Sequence, residues 1–184
     1  MAKSERLDLV SDDDKIIGQE TRENIHKHGL LHREIHVWFY TPNGELIFQH
    51  RAKNKDTFPD LLDATVGGHV DLGDTYEQAA IREVQEETGL IISHDDLALV
   101  QLGQSHIYDQ ATQRYNNCFR AIYAYCYKGQ LSDLKLEQGK SLGFEGYPIE
   151  KLFNLPQDEK KKFIPVLLTE VWFKVFRLIH KLKV

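Results

Sequence analysis

The sequence predicts an α/β protein, an α/β/α sandwich around a mixed sheet, with an N-terminal hairpin extension and a C-terminal amphipathic helix. Three observations lead there. Local signals run in the order hairpin, strands, helix, strands, helix. No repeat, low-complexity tract or linker divides the 184 residues, a length that suits one domain with its own core. Charged residues make up 28% and apolar residues 41%, as in an ordinary globular domain. Residues 1–184 are therefore read as one domain, with 1–30 as an accessory segment and 163–184 as the C-terminal helix.

Taken in order, residues 7–10 and 16–19 flank the turn-rich acidic cluster Ser11-Asp12-Asp13-Asp14 and predict a short hairpin. Thr21 is placed to cap a short helix ending at His28, with Gly29 as its stop. Histidines are dense here, at His26, His28, His32 and His36. Singly each reads as a surface or packing residue; as a group they suit a metal. Residues 34–40 alternate and are rich in aromatic and β-branched side chains, a strand signal. Thr41-Pro42-Asn43-Gly44 is a turn, and Glu45–Arg51 is the return strand. The polar loop 52–59 follows. Arg51, Lys53 and Lys55 make it positive, which suits either a diphosphate or plain solvation.

Residues 61–65 lead to Gly67 and Gly68, where the backbone can approach another group closely and offer a carbonyl oxygen. A helix follows. Asp74 with Glu77 reads as its capping box and Gly89 as its left-handed stop. Glu83, Glu86 and Glu87 stand at i, i+3 and i+4 and share one face. Their repulsion costs a few tenths of a kcal/mol per pair, and a cation reverses that sign. Clustered carboxylate oxygens suit Mg²⁺, which shares its shell with waters and phosphates.

Ile91 and Ile92 are read as the start of a short strand, turned by residues 93–96. Residues 97–107 and 118–127 read as strands, joined by a polar loop, 108–117, placed to reach over a substrate. Residues 131–146 show no firm pattern. From Pro165 a helix is expected, with Leu167, Leu168, Val171, Trp172, Val175, Phe176, Ile179 and Leu182 as its apolar stripe. Lys174, Arg177, His180, Lys181 and Lys183 lie off the stripe or near the end. Packing on the sheet is the first reading of this helix, a homodimer contact the second and a membrane surface a weak third.

Net charge is −5, which disfavours a general nucleic-acid role. No apolar run has the length of a membrane span, and the first residues lack a signal-peptide core. Cys118 and Cys126 would face one side of a strand, well apart, as small buried hydrophobes; a cytoplasmic setting is expected.

Residues 68–90 resemble the Nudix box. Gly68 supplies its first glycine, Arg82-Glu83 its R-E, Val84 its aliphatic, Glu86-Glu87 its E-E, and Gly89-Leu90 its close. Asp74 stands where the family has Glu, keeping the charge and shortening the reach by a methylene. Residues 32–70 also resemble the branch that includes isopentenyl-diphosphate isomerase. There a cysteine before the Gly-His pair handles a proton; here that position is Gly67. The isomerase binds a metal through histidines and glutamates. His32 and His69 match two of those histidine positions and His26 is one residue out of register with a third, which implies a changed or lost second metal site.

The resemblance implies an Mg²⁺- or Mn²⁺-dependent hydrolase acting on a small-molecule diphosphate substrate, a nucleoside diphosphate derivative. Glu83, Glu86 and Glu87, with the Gly67 carbonyl, would hold the ion, and Arg82 would orient the glutamates. The base would be Glu86 or a glutamate after the box. The family's register there falls on Ser141, with Glu145 nearby. Two rivals are an isopentenyl-diphosphate isomerase-like enzyme and a non-catalytic nucleotide-binding module.

Overall fold

The spine of the sheet is strand β3 (His32–Tyr40), where Ile35, Val37, Trp38 and Phe39 are all fully buried. A near-continuous apolar run of this kind means that both faces of the strand are covered. In the computed structural model, which describes residues 5–55, 57–137 and 139–182, β3 joins a seven-stranded mixed sheet. It runs parallel to β8 (Arg114–Cys126) and antiparallel to β6 (Val66–His69) and β4 (Glu45–Arg51). Strand β4 also pairs with β5 (Leu62–Asp63) and β9 (Ser141–Pro148), and β7 (Leu97–Asp109) pairs with β8.

Alternation along β3 splits the core in two. Ile35, Val37 and Phe39 pack with Ala79, Ala80 and Val84 of α2 (Tyr76–Thr88). Trp38 and Tyr40 pack with Trp172, Val175, Phe176 and Ile179 of α5 (Glu170–Lys181). One helix on each face gives the predicted sandwich. Short helices α3 (Ile149–Leu152) and α4 (Gln157–Lys160) lie between β9 and α5. The N-terminal hairpin, β1 (Arg6–Val10) with β2 (Ile16–Thr21), and helix α1 (Arg22–His28) form as expected, with Thr21 accepting from the Asn24 N–H and Gly29 left-handed at φ 66°. Leu7 and Val10 are buried, so this segment is built into the molecule. Residues 1–4, Lys183 and Val184 lie outside the described residues. Among those described, no helix is long and apolar enough to cross a membrane.

Several expectations are corrected. The α2 cap is Thr75, not Asp74: the Thr75 hydroxyl accepts from the Gln78 N–H and the Gln78 side chain answers at the Thr75 N–H. Ile91 and Ile92 form no strand; Ile91 is 87% exposed and only Ile92 turns inward. The expected loop 108–117 is the far end of a long hairpin, because Asp109 caps a tight turn through the Ala111 N–H and Thr112 hydroxyl. The patternless stretch contains β9, whose glycines weaken its alternation and whose partner is the distant β4. The C-terminal helix starts at Glu170: Pro165–Leu168 is a separate 3₁₀ turn, and Thr169 is extended. Val171 and Leu182 of the predicted stripe are exposed. Cys118 is more than a small hydrophobe, since its thiol donates to Glu34 Oε2 at 3.2 Å.

Candidate active site

A cavity of about 420 Å³ opens on the α5 face of the sheet, beside the edge where β6 meets α2. Gly67, Gly68 and His69 form one wall, with Glu83 and Glu87 reaching in from the helix. Gly68 has a specific reason to be glycine, because a Cβ there would overlap the Glu83 carboxylate. The missing side chain lets the helix lay its acidic face on the strand. Glu87 is 4% exposed and accepts from Gln49 Nε2 at 2.9 Å and from the Gly67 N–H at 3.4 Å. Burial, reinforced by the adjacent Glu83, pushes its carboxyl up to about 8. Burial also raises Glu83, against the pull of Arg82.

The three carboxylates do not enter together. Glu86 is half exposed and stays outside the cavity, tethered to Arg82 at 3.6 Å. Arg82 sits among these acidic groups. It lies 2.8 Å from Glu83, 3.3 Å from Asp71 and 3.6 Å from Asp74, and donates to the His69 carbonyl at 3.1 Å. Asp74 thus holds this arginine instead of capping the helix.

The basic residues divide. Lys55 lines the cavity, while Lys53 is exposed, sits 3.8 Å from Asp60 and does not line it. Arg51 lines it too, but its donors are taken by the Thr57 and Phe58 carbonyls, the Thr57 hydroxyl and Asp63. It therefore holds the loop in which Phe58 and Asp60 adopt φ of 45° and 61°. Lys140, which the sequence did not single out, lines the cavity and pairs with Glu137 at 2.6 Å. Glu145 is not brought to the cavity: it lies on β9 opposite Phe48 and accepts from the Tyr147 hydroxyl at 3.1 Å. Ser141 is buried against the His50 carbonyl.

Three of the predicted histidines do meet. One ligand atom from each of His26, His32, Glu34 and His69 falls within a 4.8 Å cluster. His26 Nδ1 is 2.9 Å from the Tyr115 carbonyl, and His32 Nδ1 is 3.2 Å from the Leu30 carbonyl. A carbonyl only accepts, so these partners assign the proton to Nδ1 and leave each Nε2 a lone pair. His26 Nε2 then faces His69 Nε2 at 3.1 Å, and buried His32 Nε2 has no hydrogen-bond partner. Burial pushes His69 down to about 3 and lowers His26, so both rings stay neutral. Burial pushes Glu34 up, but Arg120, His32 and His69 outweigh it and hold the carboxylate ionised, well below the usual range. His36 stands apart, stacked on Trp172 with centroids 5.6 Å apart, and His28 bonds the Asn24 carbonyl outside the cluster. Glu34 and Arg120 were missed. Their only sequence signal is charge inside otherwise apolar strands.

Comparison with known proteins gives the family. The NUDIX domain model matches residues 30–167, and the chain belongs to the Nudix family of hydrolases that cleave pyrophosphate bonds. It is 27% identical over 153 residues to an uncharacterized Nudix hydrolase of Clostridium acetobutylicum, covering 82% of this chain and 73% of that one. An uncharacterized Nudix hydrolase of Streptomyces coelicolor is 40% identical over 85 residues, covering 46% of this chain and 47% of that one. Among solved structures, DR0079 of Deinococcus radiodurans superposes with a TM-score of 0.66 at 24% identity, covering 94% and 98% of the two chains. The NUDIX domain of Shewanella oneidensis NrtR, solved with ADP ribose, gives 0.53 at 14%, covering 83% and 85%.

Proposed function

We propose that this chain is a divalent-metal-dependent hydrolase of a diphosphate linkage, in a nucleoside diphosphate derivative, centred on Glu83 and Glu87. The observation that carries the reading is the buried carboxylate pair laid over Gly67 and Gly68, with Lys55 and Lys140 facing it across one cavity. Two buried carboxylates side by side are unfavourable by themselves. An all-oxygen donor set of this kind fits Mg²⁺ or Mn²⁺, with the Gly67 carbonyl and the rim carboxylate Glu86 as further oxygens. Such an ion, when bound, neutralises phosphate charge and makes a water more acidic. Arg82 fixes Glu83 in place. Lys55 and Lys140 pair with phosphate oxygens. With Glu145 outside the cavity, the proton passes to a carboxylate of the helix itself.

The isomerase reading is weaker because Gly67 offers no thiol. A non-catalytic nucleotide-binding module is weaker because binding alone gives no reason to keep the acidic pair buried. The test is phosphate and nucleotide release with Mg²⁺ or Mn²⁺ across nucleoside diphosphates, nucleotide sugars, dinucleotides and isopentenyl diphosphate. Glu87→Gln is expected to lower turnover at least about 100-fold, the scale of a lost charge-stabilising group. Equal activity in the two proteins would remove Glu87 from the mechanism.

The histidine cluster supports a second metal of a different kind. Three imidazole nitrogens and one carboxylate oxygen suit Zn²⁺ or a similar transition ion. The Tyr115 and Leu30 carbonyls act as the outer partners that orient ligating histidines. Of the changed or lost second site that the resemblance implied, this reading takes the changed one, with Glu34 as its carboxylate.

A further inference from the structure

Arg120 is 5% exposed and reaches the cavity from β8. Its Nη2 donates to Glu34 Oε2 at 2.8 Å and its Nη1 to the Ser105 hydroxyl at 3.3 Å. Its Nε is buried and has no partner. Had Arg120 served only to neutralise Glu34, a two-point fork would be the natural geometry. That geometry is not adopted: only Nη2 reaches the carboxylate. Asn116 and Cys118 share the same Glu34 oxygen, and the other oxygen faces His32 and His69. Glu34 Oε2 thus takes three donors, and Arg120 keeps Nε as an unused donor.

The surroundings repeat the pattern. Two more cavity-lining side chains carry buried polar atoms without a partner, His36 Nδ1 and Asn116 Oδ1. Native proteins rarely leave such atoms unsatisfied, and three around one cavity mark a place where a ligand completes the hydrogen bonding. The floor between them is apolar, built from Ile164, Leu167 and the Trp172 ring.

The strand registers give the distance. Arg120 lies opposite Glu34, and Gly67, which touches Glu87, lies opposite His36. Two strand spacings across and two residues along separate the Arg120 and Gly67 backbones by about 12 Å. The arginine side chain shortens that gap. A diphosphate held at Glu83 and Glu87 would therefore extend its organic group over the apolar floor to Arg120.

We infer that Arg120 is a substrate-binding residue that takes an acceptor oxygen on the organic half of the diphosphate ester, so the substrate carries a polar, acceptor-bearing group there and not a bare hydrocarbon chain. This rests on the diphosphate reading of the acidic helix. A hydrocarbon would cover the floor but leave the buried guanidinium N–H unpaired, which is disfavoured.

The test uses two probes that cannot be hydrolysed, the pentyl and 4-carboxybutyl esters of methylenediphosphonate, titrated calorimetrically with Mg²⁺ present. Wild type is expected to bind the carboxybutyl probe roughly 10- to 100-fold more tightly, the range of a buried donor left unmade. Arg120→Lys keeps the charge beside Glu34 but loses the guanidinium donor set. It is expected to reduce the preference to within about 3-fold by the same reasoning. Equal or better binding of the pentyl probe by wild type would overturn the inference whatever the variant does. So would a folded Arg120→Lys protein that keeps the full preference. Failure of both probes to bind would overturn it together with the diphosphate reading, whereas equal binding of both would leave that reading standing.

Discussion

Glu87 keeps its proton to about pH 8 in the fold, against an ordinary value of 4.5. The unfolded chain ionises this group first, so its share of stability is complete below about pH 4.5 and is lost as pH rises toward 8. The buried histidines act in the opposite sense. His69 is pushed down to about 3 and His26 is lowered, so stability falls as pH drops below their ordinary 6.5 and the unfolded chain takes up protons. The Glu87 contribution must therefore be read as a difference between two proteins. In EDTA, Glu87→Gln should gain melting temperature relative to wild type as pH rises from 5 to 8, because the amide keeps a partner for Gln49 and no longer ionises. Parallel melting curves across that range, by scanning calorimetry, would show that Glu87 is not held protonated. The same substitution is expected to lower turnover at least about 100-fold. A more stable, less active variant is the usual sign of a site that trades stability for chemistry.

At the scale of elements, the acidic helix depends on its first turn. Thr75 and Gln78 form the reciprocal cap, while Asp74 holds Arg82. Thr75→Ala should cost about 1 kcal/mol in urea unfolding. Asp74→Ala should stay within about 0.5 kcal/mol, as expected of a partly exposed ion pair. The reverse order would restore Asp74 as the cap. The helix itself was legible in the sequence because its signals are local: carboxylate spacing, Gly89 as the stop, glycines before the start. The β3–β4 hairpin was legible for the same reason, through its Pro-Asn-Gly turn. Strand β9 was not, since its pairing to β4 joins residues 90 to 103 positions apart and is written in neither segment alone. Arg51 was legible as a cavity residue but not as the clamp on Thr57 and Phe58, because that role depends on how the loop folds back. Glu34 and Arg120 looked like faults in apolar strands. Only the parallel β3–β8 register turns those two faults into one buried pair.

For the whole molecule, the histidine cluster is the point where separate parts of the chain are tied together. His26 comes from the N-terminal segment, His32 and Glu34 from the spine of the sheet, and His69 from the wall of the cavity, while β8 supplies the carbonyl that orients His26. Without an ion, His26 Nε2 and His69 Nε2 meet at 3.1 Å, and with the His26 proton on Nδ1 it is His69 Nε2–H that donates to the His26 lone pair. A transition ion would replace that single hydrogen bond with four bonds available only in the folded chain, and so would stabilise the fold by mass action. At a free Zn²⁺ concentration one hundred times the dissociation constant the gain is about 2.7 kcal/mol. For a chain of this length that corresponds to a rise in melting temperature of roughly 5–10 °C. Mg²⁺, which prefers oxygen, should not reproduce the effect through this cluster. His26→Ala removes one ligand together with the Tyr115 and His69 hydrogen bonds, so it should lower the metal-free melting point and cancel most of the Zn²⁺ response. A Zn²⁺ shift that survives His26→Ala, or no shift in the wild type, would reduce the cluster to a hydrogen-bonded junction between the N-terminal segment and the sheet.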